Sequence, residues 1–308
     1  MINKILAIQG NHPSKLNYST DTTIFLANEI QNKKYRIFYY DPKNLSLINS
    51  KVIADGFFIK FNYNKKKKFE ILKYQKLELK KCKFILIRQD PPFNLEYIST
   101  TYILDTIKDK VRIINDPTSI RNVSEKFYSA KYQKYMPKTV FTQNIDEINK
   151  FFNKHKNVII KPIHSFGGND IHLLNKFNVK LIKKFIKKHD HIMCQKYLPK
   201  IKNGDKRVFL INGKVSGVIS RVPKKGSFLS NMSKGAKPIN TSLTKIENKI
   251  SKLIAKDLKK YKIFFAGIDF IDQKLNGDIN VTSPTGLKTF YDLTKINLAK
   301  TFWKELKA

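Results

Sequence analysis

Apolar residues along the chain switch repeatedly between two periods. Lys4 to Gln9 is a short β-rich run, and helical spacing follows at Ile24, Phe25, Leu26, Ala27 and Ile30. Asp21 and its neighbouring threonines offer N-caps for that helix, because a short side-chain oxygen can accept from the first free N–H groups. Strand-like runs return at Arg36 to Tyr40, Phe84 to Ile87 and Val111 to Ile114, and Tyr97, Thr101 and Leu104 share a helical face between the last two. This rhythm predicts a parallel sheet covered by helices, with ligands beyond the carboxyl ends of its strands. Arg88, Asp90 and Asn115 fall at such ends.

The texture changes near residue 124. Ile145, Ile148, Phe151 and Phe152 mark one amphipathic helix, and Leu181, Ile182, Phe185 and Ile186 mark another before a strand at Ile192 to Gln195. Between them lies VIIKPIHSFGGNDIHLL, residues 158–174, two apolar runs flanking paired glycines. Asn212-Gly213 and Asn276-Gly277 read as hairpin turns, since both dipeptides tolerate positive φ. The order of elements here is compact α+β.

Composition narrows the classes. A chain of 308 residues with 41% hydrophobic and 12% aromatic content is globular. No apolar run approaches the roughly 20 residues that span a bilayer, and the first segment is too short for a signal-peptide core. Two cysteines, Cys82 and Cys194, argue against a disulfide framework and suit a reducing cytoplasm. The net charge of +36 is almost all lysine, spread along the chain; its densest run, Lys65 to Lys68, lacks interleaved aromatics for base stacking. Solvated faces account for it better than a nucleic-acid partner does. Against that background six arginines stand out: Arg36, Arg88, Arg112, Arg121, Arg207 and Arg221. A planar fork matches carboxylate or phosphate as an ammonium cannot.

The densest chemistry is GIDFIDQKLNGDINVTSPTG, residues 267–286. Asp278 and Asn280, two apart on a strand, share a face, and a loop of Gln273 to Asn276 would set Asp269 opposite Asn280. Three hard oxygen donors suit Mg²⁺ shared with substrate phosphates; a solvated hairpin face would carry the same residues. Lys161 ends an apolar strand, so it either snorkels or meets an anion. Gly167 and Gly168 permit the close backbone approach that a phosphate loop needs, and a plain hairpin needs them equally. Gln195 to Pro199 could form a hinge that pairs with an adenine edge.

Taken together, RQDPPFNLEYISTTYILD, INDPTSIRNVSEKFYSAKY, VIIKPIHSFGGNDI, QKYLPKIKNGDKRVFLINGK, SRVP and FFAGIDFIDQKLNGDINVTSPTG resemble the bacterial glutathione synthetases, which are ATP-grasp carboxylate–amine ligases. The resemblance covers most of residues 84–285. It implies an α/β chain: an amino-terminal Rossmann-like (pre-ATP-grasp) domain over residues 1–123, followed by an ATP-grasp fold of two α+β lobes. The small lobe is placed at 124–203 and the catalytic lobe at 204–308. It also implies that ATP phosphorylates the cysteinyl carboxylate of γ-glutamylcysteine and that glycine then attacks the acyl phosphate. Such chemistry needs positioning and charge neutralisation rather than a protein nucleophile.

Carried onto this sequence, Lys126 and Lys161 resemble the ATP-phosphate lysines, and Gly167 and Gly168 the loop above them. Gln195, Tyr197 and Leu198 resemble the adenine hinge, with Asp205 nearby for the nucleotide. Asp269, Asp278 and Asn280 match ligands of Mg²⁺ or Mn²⁺. Arg207 and Arg221 look placed to steady the acyl phosphate, Arg88 to take a substrate carboxylate, and Ser283 and Thr285 to receive glycine. A homo-oligomer is implied; no membrane and no specific nucleic acid are. Departures are Asp278 in place of the usual Glu, a 224–240 loop with fewer glycines and Leu229 for an expected arginine, His164-Ser165 before the phosphate loop, and LKTFYDL after Gly286. They leave two alternatives: an ATP-grasp ligase with other substrates, or a nucleotide- or polyanion-binding homologue without catalysis. A two-residue turn at Asn212-Gly213 would also put Arg207 and Arg221 on opposite faces, so a bulge or a bend is needed between them.

Overall fold

The β-rich runs of the first third pair into one mixed sheet. A computed structural model describes residues 4–62 and 68–308; most of the lysine run at 65–68 lies outside the described residues. The sheet holds β1 (Ile5–Gln9), β2 (Arg36–Tyr40), β3 (Leu45–Ile48), β4 (Lys51–Phe61), β5 (Phe69–Glu78), β6 (Phe84–Ile87) and β7 (Arg112–Ile114). Strands β2, β1, β6 and β7 run parallel in that order. Helices α1 (Thr22–Gln31), α2 (Leu95–Asp105) and α3 (Pro117–Asn122) accompany them. Asp21 caps α1, its carboxylate accepting from the Ile24 N–H at 2.8 Å.

The parallel reading stops at β2. Strands β3, β4 and β5 extend the sheet antiparallel. Their alternation is blurred because β5 exposes residues on both faces, with Lys73 beside Leu72 and Tyr74.

A four-stranded antiparallel sheet follows, ordered β10-β9-β11-β8. It comprises β8 (Thr139–Thr142), β9 (Val158–Pro162), β10 (His172–Leu174) and β11 (Ile192–Lys196), with α4 (Ile145–His155) and α5 (Val179–His189). Ile148, Phe152, Ile182 and Phe185 bury against it, as their helical spacing requires. The third sheet, ordered β14-β13-β12-β15-β16, holds β12 (Asp205–Ile211), β13 (Lys214–Val222), β14 (Lys237–Asn240), β15 (Phe265–Ile271) and β16 (Lys274–Asn280). Helix α6 (Lys245–Lys260) packs on it, and α7 (Leu287–Thr294) and α8 (Leu298–Glu305) close the chain.

Those last helices join the third sheet to the first. Trp303 is fully buried and its indole donates to the Leu26 carbonyl at 2.9 Å. Leu287 and Phe290 sit in the same core, so the LKTFYDL departure builds a packing helix. Asn115 braces the junction: its amide donates to the Phe265 and Val281 carbonyls at 2.7 Å each. Its oxygen accepts from the Phe264 and Phe265 N–H groups at 2.8 Å each. All four of its hydrogen-bonding positions are thereby used, leaving none for a ligand.

Candidate active site

Two backbone irregularities gather the charged side chains. The β12–β13 hairpin turns at Asn212-Gly213, where φ is 49° and 75°. Pairing then shifts by one residue beside Ser216, so that Phe209 faces Gly217 while Leu210 faces Val215. This bulge puts Arg207 and Arg221 on one face. The next hairpin differs from expectation. Its turn is Asp272-Gln273, with φ of 47° and 62°, and Asn276-Gly277 lies inside β16. The strands shift register between Ile268 and Phe270, and Gly277 (φ 85°) belongs to the bulged segment. Asn280 consequently faces Gly267 rather than Asp269. The even spacing still leaves Asp269, Asp278 and Asn280 on a common face.

Gly267 is what lets Arg207 lie across that face, since a Cβ there would be 3.0 Å from the arginine Cδ. Arg207 grips Asp269 in a two-pronged pair, one prong at 2.8 Å. Arg221 reaches the same carboxylate at 3.0 Å and also grips Asp205, its Nε donating at 2.8 Å. The result is a buried chain, Arg207–Asp269–Arg221–Asp205. Burial works to raise the Asp269 carboxyl, but the two guanidiniums outweigh it and hold it down to about 2. Burial prevails at Asp205, which has one guanidinium, and its carboxyl is pushed up. Asp205 was expected at the nucleotide. It lines the cleft, but both its oxygens accept from Arg221, so it positions that arginine.

A second cluster centres on Asp278. Lys126 Nζ lies 3.4 Å from one of its oxygens and Lys161 Nζ 3.5 Å from the other. Both lysines are only 4% exposed. Burial lowers the Lys161 ammonium against the opposing pull of Asp278. Burial likewise works to raise Asp278, but Lys161 and then Lys126 bring it below the usual carboxylate range. Lys126 also donates to the Ser165 carbonyl at 2.9 Å, at the start of the glycine loop, and Lys161 to the Asn276 carbonyl at 2.9 Å.

Gly167 and Gly168 adopt φ of 65° and 76° at the crest of that loop. The β13–β14 loop meets it: Lys234 Nζ bonds Asn169 at 2.8 Å, and a Cβ on Gly168 would stand 2.4 Å from Asn231 Oδ1. Beneath them the cleft is walled by Ile159, Ile201, Ile271 and the segment Gln195, Tyr197 and Leu198. The Gln195 amide donates to Thr139 at 3.1 Å, while Tyr197 and Leu198 are half-buried beside the cleft. Phe228 and Leu229 give the loop side an apolar wall.

Arg88, Ser283 and Thr285 do not line this cleft. Arg88 is buried in the amino-terminal domain, and the Ser283 hydroxyl donates to its carbonyl at 3.4 Å. Thr285 is exposed. Glu125 was not anticipated, although it precedes Lys126. Its Oε1 accepts from the Val281 N–H at 3.0 Å and the Thr282 hydroxyl at 2.8 Å, tying the end of β16 to the cleft. Cys82 and Cys194 are buried free thiols, each pushed up to about 12 by burial, as packing residues should be.

The model of the prokaryotic glutathione synthetase ATP-grasp domain matches residues 125–295, and that of its N-terminal domain matches residues 5–121. The chain belongs to the prokaryotic glutathione synthetase family. Glutathione synthetase of Agrobacterium fabrum is 33% identical, covering 99% of this chain and 96% of its own. That of Buchnera aphidicola subsp. Baizongia pistaciae is 35% identical, covering 93% and 90%. D-alanyl-alanine synthetase A from Vibrio cholerae superposes with a TM-score of 0.64 at 13% identity, covering 98% of this chain and 97% of that one. D-cycloserine synthetase DcsG does so at 0.66 and 11%, covering 98% of each. At such identities these two likenesses bear on the fold alone. They agree with family membership on an ATP-grasp architecture behind a separate amino-terminal domain.

Proposed function

We propose that this family member ligates γ-glutamylcysteine to glycine at the expense of ATP. The observation that carries the reading is the convergence of Lys126, Lys161, the glycine loop, Asp269, Asp278 and Asn280 on one cleft. The Ile159, Ile201 and Leu198 wall suits an adenine face. The two ammoniums and the loop N–H groups face the phosphates. Arg207 and Arg221, held rigid by their carboxylates, stand where charge develops as the cysteinyl carboxylate attacks the γ-phosphorus and ADP leaves. The glycine amine then attacks the acyl carbon, phosphate departs and the amine loses its proton.

Asp278 and Asn280 are only partly buried, and Asp269 Oδ1 accepts a single guanidinium bond. This all-oxygen donor set fits a hard divalent cation. Mg²⁺, or Mn²⁺ in its place, would be held by these three residues and supply charge neutralisation to the transferred phosphoryl group. Arg88 takes the distal end of the dipeptide, and Ser283 and Thr285 lie toward the glycine side. A cytoplasmic homo-oligomer is the corresponding setting. Two free buried cysteines suit the reducing compartment of that setting, while the oligomer follows from the family reading alone; among the described residues no helix is long and apolar enough to cross a membrane. The test is ADP release with ATP, Mg²⁺, γ-glutamylcysteine and glycine, with omission of each. Release that needs all four, with glutathione as product, is expected; no turnover with either metal sinks the reading.

A further inference from the structure

No backbone ladder closes the glycine loop. Strands β9 and β10 pair only as far as Ile160 and His172, so residues 161–171 leave that ladder and rejoin it unaided. Both ends of the loop are nevertheless held. Upstream, Ile163 is buried, the His164 ring stacks on Phe93 of the amino-terminal domain at 6.5 Å, and the Ser165 carbonyl accepts from Lys126 at 2.9 Å. Downstream, Asp170 Oδ2 accepts from Lys188 at 2.7 Å and lies 3.1 Å from His189 Nε2, both at the end of α5. Among the described residues one side-chain hydrogen bond joins the two ends: Ser165 Oγ donates to the Asn169 carbonyl at 3.0 Å. The Asn169 N–H then donates to the Phe166 carbonyl at 3.1 Å, within the loop.

The serine bond sits at the neck of the loop, and Gly167 and Gly168 form the crest. Two successive glycines leave that crest many conformations to lose when a phosphate orders it. A neck that is already closed removes part of this cost, the usual source of affinity from preorganisation. The Ser165 hydroxyl is committed inside the loop, and the carbonyl of the same residue rests on Lys126, which faces Asp278 at 3.4 Å. One residue therefore ties the lid to the cation beneath it. Ser165 is also among the departures from the family pattern, so the brace belongs to this chain rather than to the fold.

We infer that Ser165 is a positioning residue that holds the neck of the glycine loop closed and so presets its crest for the nucleotide's phosphates. The inference rests on the ligase reading for the identity of the ligand and adds to it a residue that acts through the loop. Ser165→Ala removes the brace, and Ser165→Thr keeps the hydroxyl. In Ser165→Ala the KM for ATP rises about 2- to 10-fold, the range for one lost neutral hydrogen bond. Its kcat and its KM for γ-glutamylcysteine stay at the wild-type values, and Ser165→Thr restores the KM for ATP. Hydrogen exchange in the ligand-free chain reads the loop without turnover. The Asn169 amide exchanges faster in Ser165→Ala and at the wild-type rate in Ser165→Thr. Equal exchange in all three proteins, or an unchanged KM for ATP, overturns the inference. So does a Ser165→Thr variant as impaired as Ser165→Ala, because the hydroxyl would then not be the cause. A loss confined to kcat overturns it as well, since the hydroxyl would then act on the transferred phosphoryl group. A wild type that releases no ADP marks failure of the ligase reading instead, and the exchange rates alone then decide the brace.

Discussion

On the side of the site proposed for the phosphates, Arg207, Arg221, Lys126 and Lys161 each have an internal counterion. In the amino-terminal domain, where the proposed reading seats the dipeptide, Arg88 keeps its terminal nitrogens open and Tyr97 an orphaned hydroxyl. The two plans suit different ligands. A triphosphate brings several negative charges, so cations awaiting it would repel one another strongly if left bare in a low-dielectric cleft. Asp269 and Asp278 keep those cations in place, and on the proposed reading a divalent metal arriving with the nucleotide would engage the same carboxylates. At Arg88 the carboxylates of Asp21 and Asp90 favour the buried charge from nearby, but neither bonds the terminal nitrogens.

Removing the shared counterion breaks this contrast most severely. Asp269→Ala leaves the buried Arg207 guanidinium uncompensated and Arg221 with Asp205 alone, and losing one partner of a buried pair typically costs about 3–5 kcal/mol. Urea unfolding should register that loss, and ADP release should fall by at least about 100-fold. A variant as stable as wild type would show that Asp269 is not the keystone. Acid titration sharpens the point. The folded carboxyl of Asp269 is held below its unfolded value, so its stabilisation is complete above about pH 4 and disappears as pH falls toward 2. Unfolding curves of wild type should therefore weaken across that window by roughly 2 kcal/mol, while Asp269→Asn shows a flatter profile.

A smaller effect is expected when one of two like charges is removed. Lys161→Met leaves Asp278 paired to Lys126 and keeps most of the buried volume. Folding should be little affected, but a charge-assisted contact to phosphate worth about 1.5–3 kcal/mol is lost. The KM for ATP should rise by about 10- to 100-fold with that for γ-glutamylcysteine nearly unchanged. Equal rises in both would erase the division into two sides.

Much of this site could be read from the chain, because bulges obey parity. Setting Arg207 and Arg221 on one face called for a bulge or a bend in the β12–β13 hairpin, and an extra residue, Ser216, supplies the bulge. The Asn276-Gly277 turn misled because Gly277 does take positive φ, but in a bulge rather than at the bend. Asp272-Gln273 gave no such signal, since neither residue is glycine. Asn115 stood at a strand end as a ligand group would, yet its partners are backbone atoms of Phe264, Phe265 and Val281, which local spacing cannot reveal. The arginines divided similarly. Arg121 pairs with Asp105 and packs over Tyr102, so its fork serves the fold. Lysine abundance hid the β4–β5 extension, where polar residues occupy both faces.

The smallest expected effect separates two adjacent glycines on the phosphate side. Gly167→Ala meets nothing closer than 3.8 Å, so its penalty is the left-handed backbone alone, about 1–2 kcal/mol. Gly168→Ala carries the same penalty and adds a methyl group 2.4 Å from Asn231 Oδ1. Both should raise the KM for ATP by about 5- to 30-fold if the strain is relieved by displacing the loop, Gly168→Ala the more. Asn231→Ala opens the space that the new methyl needs. It should therefore recover part of the loss in Gly168→Ala and none in Gly167→Ala. Equal recovery in both would mean that Asn231 acts on the nucleotide directly rather than through the loop it touches.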